Sequence, residues 1–266
     1  MVQTHPSTLL KGFPEMMRIT GGFRAREFTI CCGATGSGKT TLCANISKDL
    51  LEQNIPHFVA SIETGHLDFI RRIMSAMAKK DLNSGDPVSS EEMKSFFARF
   101  AHFFKTDTFN LSLYEDRFSV DLLMADIAWC VIHKGIKIAI VDNLNFFLDV
   151  TSIQNQVIEM DRVIHDLVIF CKQVDVHLIM IMHPKKTING RVESENDIKG
   201  SSTANQEAHN IFLWNRPHPD RIKNEIATVY DREFFIAKMR RRGKFVGRTL
   251  LMRSLDGVSY TEGGVF

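Results

Sequence analysis

No apolar run in this chain reaches the 18 or so residues that a membrane-spanning helix needs. The opening stretch, MVQTHPSTLLKGFPEMMR, has no apolar core of the secretory kind and is poor in arginine, so no targeting segment is expected. No C-x-x-C pair occurs. The five cysteines, Cys31, Cys32, Cys43, Cys130 and Cys171, are odd in number, and several fall in apolar runs, which argues against disulfides and zinc and for buried thiols in a reducing compartment. Repeats, low-complexity tracts and an obvious linker are also missing. The formal net charge of +2 is too small to demand a polyanionic partner. What remains is a soluble intracellular chain of 266 residues, long enough for one large core and short for two.

Charge is unevenly spread. Lys238, Arg240, Arg241, Arg242, Lys244, Arg248 and Arg253 follow one another without an acid between them, whereas 81–92 and 193–197 are acidic. On a strand, Lys238, Arg240 and Arg242 would share one face. Such a cluster could neutralise nucleic-acid phosphates, address a nucleotide, or be a solvated hairpin tip.

The pattern of the chain is alternating. Strands are expected at 27–33, 57–63, 109–114, 137–142 and 176–182. Helices are expected at 38–53, 67–80, up to Phe104, at 119–133 and at 154–174. Ser89 and Glu92 have the spacing of a capping box for the helix that carries Phe96, Phe97, Phe100, Phe103 and Phe104, read as an amphipathic face packed on a sheet. After a polar loop at 184–199 the pattern turns to strands joined by turns: NIFLW, REFFIAKMR and GRTLLMR. Strand–helix alternation followed by a meander predicts a single α/β domain, its central sheet parallel and its C-terminal edge antiparallel.

One motif carries chemistry on its own. GATGSGKT, Gly33 to Thr40, fits G-x-x-x-x-G-K-[ST], follows a predicted strand and opens a predicted helix. Gly33, Gly36 and Gly38 let the backbone of Ala34, Thr35 and Ser37 wrap phosphates, and the helix N-terminus, with Thr41 next to Thr40, adds partial positive charge. Lys39 would reach the β- and γ-phosphates of ATP or another nucleoside triphosphate, and the Thr40 hydroxyl would ligate Mg²⁺. Asp142, ending the buried strand IAIVD, is the natural second anchor for the metal. Glu63, ending FVASIE, is placed to orient a water, and His183, ending LIMIM, to contact the γ-phosphate.

GFPEMMRITGGFRAREFTICCGATGSGKTT, SIET, IAIVDNLNFFL, LIMIMHPKK and IKGSSTANQEAHNIFLW follow in this order. Together they resemble the RecA-like P-loop ATPase domain of the DnaB-type hexameric helicases, on the side of the Twinkle-like mitochondrial enzymes and the phage primase–helicases. The likeness runs from about Gly12 to Gly257. It implies an ATP- and Mg²⁺-dependent motor on single-stranded nucleic acid, expected to be DNA, assembled as a homo-oligomeric ring of six. It also implies Glu63 as general base, His183 as γ-phosphate sensor and Gln206 as coupling residue. Lys185, Lys186, Arg191 and Lys199 would grip the strand, and Lys238 and Arg240 would reach a neighbouring subunit's nucleotide. Arg241, Arg242 and Lys244 are then read as solvated or as contacts to a partner subunit. No primase segment or ring-clasping linker helix is expected ahead of the motor, so a primase or loader would act from another chain. The compartment implied is a bacterial or phage-infected cytoplasm, or the mitochondrial matrix. A stand-alone RecA-like ATPase that unwinds nothing is the other reading.

Overall fold

The computed structural model describes residues 7–82, 89–112, 119–143, 153–185, 187–199 and 201–266. A nine-stranded sheet is its frame. In chain order the elements are β1 (Ser7–Thr8), α1 (Pro14–Thr20), β2 (Phe23–Arg24), β3 (Phe28–Cys32), α2 (Lys39–Glu52), β4 (His57–Ser61), α3 (His66–Ala78), α4 (Ser90–Lys105) and β5 (Phe109–Leu111). There follow α5 (Val120–Lys134), β6 (Ile138–Asp142), α6 (Ile153–Val174), β7 (His177–Met182), α7 (Ser201–Glu207), β8 (Asn210–Asn215), α8 (Pro219–Lys223), β9 (Arg232–Met239), β10 (Thr249–Arg253) and β11 (Thr261–Val265). β1 and β2 form a small separate ladder, and the large sheet runs β11-β10-β9-β8-β3-β7-β6-β4-β5. Its six strands from β8 to β5 are parallel, while β8, β9, β10 and β11 pair antiparallel, as the sequence predicts.

The parallel strands are apolar on both faces because both faces are covered. Alternate residues go to opposite sides. Cys31, Val59, Ile138, Ile140, Ile179 and Ile181 join the core under α1 to α4, with Leu42, Ile46, Leu50, Phe69, Ile73, Phe100 and Phe103. Phe28, Ile30, Phe58, Ala139, Val141, Leu178 and Met180 join the core under α5, α6 and α7, with Ile127, Ile164, Leu167 and Ala204. All five cysteines are free and buried. The Ser89 capping box forms, with Glu92 N donating to Ser89 Oγ and Ser89 N to the Glu92 carboxylate. Only part of the phenylalanine face of α4 is covered: Phe100 and Phe103 are buried, whereas Phe97 and Phe104 are exposed. Among the described residues, no helix is long and apolar enough to cross a membrane.

The structure settles two positions that the sequence leaves open. β4 does not lie beside the P-loop strand: β6 and β7 stand between β4 and β3. The loop at 184–199 is folded on itself, with Pro184 bridged to Ile198, Ile188 to Arg191, and a capping box between Ser194 and Asp197.

Candidate nucleotide site

The site lies at the carboxyl ends of β3, β4, β6 and β7, where open α/β sheets hold ligands. The turn after β3 needs glycine for two reasons. A Cβ on Gly33 would run into the Trp214 carbonyl oxygen and lie 2.7 Å from Ser37 Oγ. Gly36 and Gly38 take φ of 72° and 90°, which side chains strain to adopt. α2 then starts without any side-chain cap, in contrast to α4 and α5, which Ser89 and Ser119 cap. Its first-turn N–H groups are left for an anion, and no acid sits in that turn to repel one. The turn is braced from behind: Trp214 Nε1 and Arg232 Nε both donate to the Ser37 carbonyl, at 3.0 and 2.7 Å. Arg216 donates to the Gly36 carbonyl at 3.2 Å.

Lys39 is buried and donates Nζ to the Ala34 carbonyl at 2.9 Å, spanning the loop. Burial pulls its pKa down, against the opposing pull of Asp142. Thr40 Oγ1 donates to Asp142 Oδ2 at 2.6 Å. Asp142 is 0% exposed, and burial pushes its carboxyl up to about 6, with the Thr40 hydrogen bond offsetting part of that rise. Its Oδ1 is buried with no hydrogen-bond partner. A buried hard oxygen with a free lone pair, next to a hydroxyl, fits a Mg²⁺ ligand set completed by phosphates and water. Among the described residues no cluster of three or more His, Cys, Asp or Glu offers an all-protein metal cage.

Glu63 comes to the same place by a route the sequence does not show. The N–H groups of Ile62 and Glu63 donate to the Asp142 carbonyl at 2.8 and 3.3 Å, which ties the end of β4 to the end of β6. Asn143 Nδ2 then donates to Glu63 Oε2 at 2.6 Å, and His183 Nε2 lies 3.4 Å from the same oxygen. Burial, and after it the charge of Lys39, lowers the His183 pKa, against the opposing pull of Glu63. Asn143 escapes a sequence reading because one amide has no spacing signature, although it directly follows Asp142.

The remaining candidates divide. Lys185 is exposed and Lys199 half-buried on the folded loop, while Lys186 lies outside the described residues. Arg191 departs from this set. Its side chain is 13% exposed and pairs at 2.7 Å with Glu233, itself 5% exposed, and it also donates to the Arg216 carbonyl. A buried carboxylate needs a counter-charge, so this guanidinium braces the loop against β9. Lys238 and Arg240 share a face as expected, and both donate to carbonyls at the end of α7: Lys238 to Asn205 and Gln206, Arg240 to Gln206 and Glu207. Gln206 is exposed. Arg242 leaves that face and donates to the Arg18 carbonyl at 2.6 Å, and Arg241 pairs with the buried Glu27 at 2.7 Å. Both are held within the chain, because a buried acid and a helix C-terminus need donors, while the Arg241 side chain stays half exposed.

The family model of the DnaB-like helicase C-terminal domain matches residues 8–253. The chain belongs to that family. Among relatives of the DnaB-like family, a probable replicative DNA helicase of Trieres chinensis is 23% identical over 246 residues, which are 87% of this chain and 52% of the relative. The chain thus spans about half the length of that protein. Two solved structures share the fold at 17% identity. A DnaB-like replicative helicase, studied for its interactions with primase, superposes with a TM-score of 0.78 over 98% of this chain and 64% of its own. The other, an ATPase domain, gives 0.79, over 99% of this chain and 94% of its own. The DnaB-like domains therefore share the mainly parallel sheet with an antiparallel C-terminal edge that is described above.

Proposed function

We propose that this chain is a single motor domain of a replicative-type DNA helicase, hydrolysing ATP with Mg²⁺ and moving along single-stranded DNA as a ring-shaped homo-oligomer of six. The observation that carries the reading is the meeting of Thr40 with Asp142, and of Glu63 with Asn143 and His183, over an uncapped P-loop helix. Lys39 would leave the Ala34 carbonyl for the β- and γ-phosphate oxygens. Glu63 would orient the attacking water and accept its proton, as the oxygen–phosphorus bond forms and the β–γ anhydride bond breaks to give ADP and phosphate. Thr40 and Asp142 would hold Mg²⁺, which when bound neutralises charge on the β- and γ-phosphates. His183, within reach of Glu63, would report the γ-phosphate.

Lys185 and Lys199, with Lys186, are the cations offered to the strand. Lys238 and Arg240 are assigned to the neighbour's nucleotide. A primase or loader is the partner this reading expects, and the compartment is one in which DNA replicates, cytoplasmic or organellar. Turnover measured with and without single-stranded DNA tests the reading. Single strands are expected to raise ATPase activity several-fold, and Lys39→Ala to abolish it. Activity indifferent to DNA would favour the stand-alone ATPase instead.

A further inference from the structure

The carboxyl end of β8 and the start of β9 hold two different loops on two different faces. Side chains alternate along a strand, and residues paired across an antiparallel ladder share a face. Asn215 is paired with Glu233, and Trp214 with Phe234, so Asn215 and Glu233 look to one side and Trp214 to the other. The hydrogen bonds follow that division.

The Asn215 face takes the loop at 184–199. Val192 N donates to Asn215 Oδ1 at 2.9 Å, and Asn215 Nδ2 donates back to the Val192 carbonyl at 2.8 Å. Glu233 accepts from Arg191 Nη2 at 2.7 Å and, through its other oxygen, from His218 N at 2.9 Å. The Trp214 face takes the P-loop: Trp214 and Arg232 donate to the Ser37 carbonyl, and Arg216 to that of Gly36. Arg191 joins the two, because its Nη1 donates to the carbonyl of Arg216. One guanidinium thus holds a buried acid and the backbone of the residue whose side chain braces the P-loop.

A cavity of about 370 Å³ lies between the tip of the loop, at Asn189, Gly190 and Arg191, and the P-loop residues Ala34, Thr35 and Ser37. The tip is therefore connected to the P-loop through the end of β8. The foot of the loop is closed on itself, by the Pro184–Ile198 bridge and by Lys185 N donating to the Asp197 carbonyl at 2.7 Å. Lys185 and Lys199 stand at that foot, and Arg191 at the far end.

We infer that Arg191 is a positioning residue: through Glu233 and the end of β8 it couples the loop carrying Lys185 and Lys199 to the P-loop, and it does not grip the strand itself. The inference rests on the helicase reading above. A buried ion pair whose members are both hydrogen-bonded is a stiff connection, so displacement of the loop is passed to β8. With the connection cut, the P-loop keeps its braces from Trp214, Arg216 and Arg232, so chemistry without a strand survives. Coupling between two ligands is reciprocal, so the nucleotide should strengthen strand binding through the same residue.

The test measures steady-state ATPase with and without oligo(dT), and oligo(dT) binding with and without a non-hydrolysable Mg²⁺–ATP analogue. In the wild type the strand is expected to raise kcat, and the analogue to tighten oligo(dT) binding, each several-fold. Arg191→Met is expected to keep strand-free kcat, KM for ATP and nucleotide-free oligo(dT) affinity within about twofold, while both enhancements fall below about 1.5-fold. Arg191→Lys keeps the charge beside Glu233 without the fork, and Glu233→Gln keeps an acceptor for His218 N without the charge. Each is expected to lose at least about half of both enhancements, and the two decide the matter if Arg191→Met does not fold. Enhancements of wild-type size in both would overturn the inference. So would a loss of strand-free kcat in step with the stimulated rate, which marks a mere brace, or a weakened strand affinity with full stimulation at saturation, which marks a direct grip. These outcomes leave the helicase reading in place, whereas a wild-type protein indifferent to oligo(dT) would overturn both.

Discussion

His57 and His177 begin two parallel strands, β4 and β7, and each is fully buried among hydroxyl and carbonyl partners. His57 Nε2 meets Ser47 Oγ at 2.7 Å, and His177 Nε2 meets Thr29 Oγ1 at 2.9 Å; their Nδ1 atoms face the carbonyls of Ile55 and Arg24. Burial lowers the first to about 4 and the second to about 3, from an ordinary 6.5. A histidine whose folded pKa is depressed contributes stability that is present above 6.5 and is lost as pH falls towards the folded value. Between pH 7 and pH 5 each should cost the fold roughly 2 kcal/mol, from the 1.36 kcal/mol that one pH unit represents. Denaturant unfolding at the two pH values should show the fall, and His57→Gln should make it smaller. An unfolding free energy flat across that range would show that these rings are not held neutral. The same scale shows what one sequence can disclose. Lys39, Thr40 and Asp142 were legible because a motif and a strand end mark them. Arg191 was not, since its charge is visible in sequence but its partner Glu233 is 42 positions away.

Most elements could be drawn from periodicity, with ends within a few residues, because buried parallel strands and amphipathic helices leave strong apolar patterns. The misses are elements whose residues carry no such pattern. β11 contains Gly263 and Gly264 and stays largely exposed, so only its pairing with β10 makes it a strand. α1 is seven residues long and is held in part by distant groups, the N–H of Glu15 and Met16 donating to the Glu262 carboxylate. β8 illustrates how an element can serve the site without touching a ligand. Trp214 is fully buried on it and holds the Ser37 carbonyl from below. Trp214→Phe would delete that donor and open space against Tyr260, while Arg232 keeps its bond to the same oxygen. Stability should fall by about 1–3 kcal/mol, and nucleotide affinity a few-fold, read by thermal unfolding and by titration with ADP. If affinity is untouched while stability falls, the ring packs the core without setting the P-loop.

Across the whole molecule, the order of the strands is what separates the two ends of the chemistry. Sequence gives the succession of β3, β4, β6 and β7 but not their neighbours, so the insertion of β6 and β7 between β3 and β4 could not be read from it. The basic end of β9 is placed by the same topology. Arg240 N donates to the His209 carbonyl, and His209 N to that of Phe28, which sets Arg240 level with the start of β3. The P-loop leaves the other end of that strand, roughly 13 Å further on at about 3.3 Å per residue. A guanidinium anchored there, with its donors on the α7 carbonyls, does not reach the phosphate cradle of its own subunit. If it takes part in hydrolysis, it does so in a second copy. Lys39→Ala keeps this arginine and loses its own site; Arg240→Ala keeps the site and loses the arginine. Each variant alone is expected to be inactive, and a mixture should recover part of the wild-type ATPase, because Lys39→Ala subunits lend Arg240 to neighbours whose P-loops are intact. Full turnover by Arg240→Ala alone would remove the arginine from the reaction. A mixture as inactive as its components would mean that the basic end of β9 does not meet a second copy's P-loop across a subunit boundary.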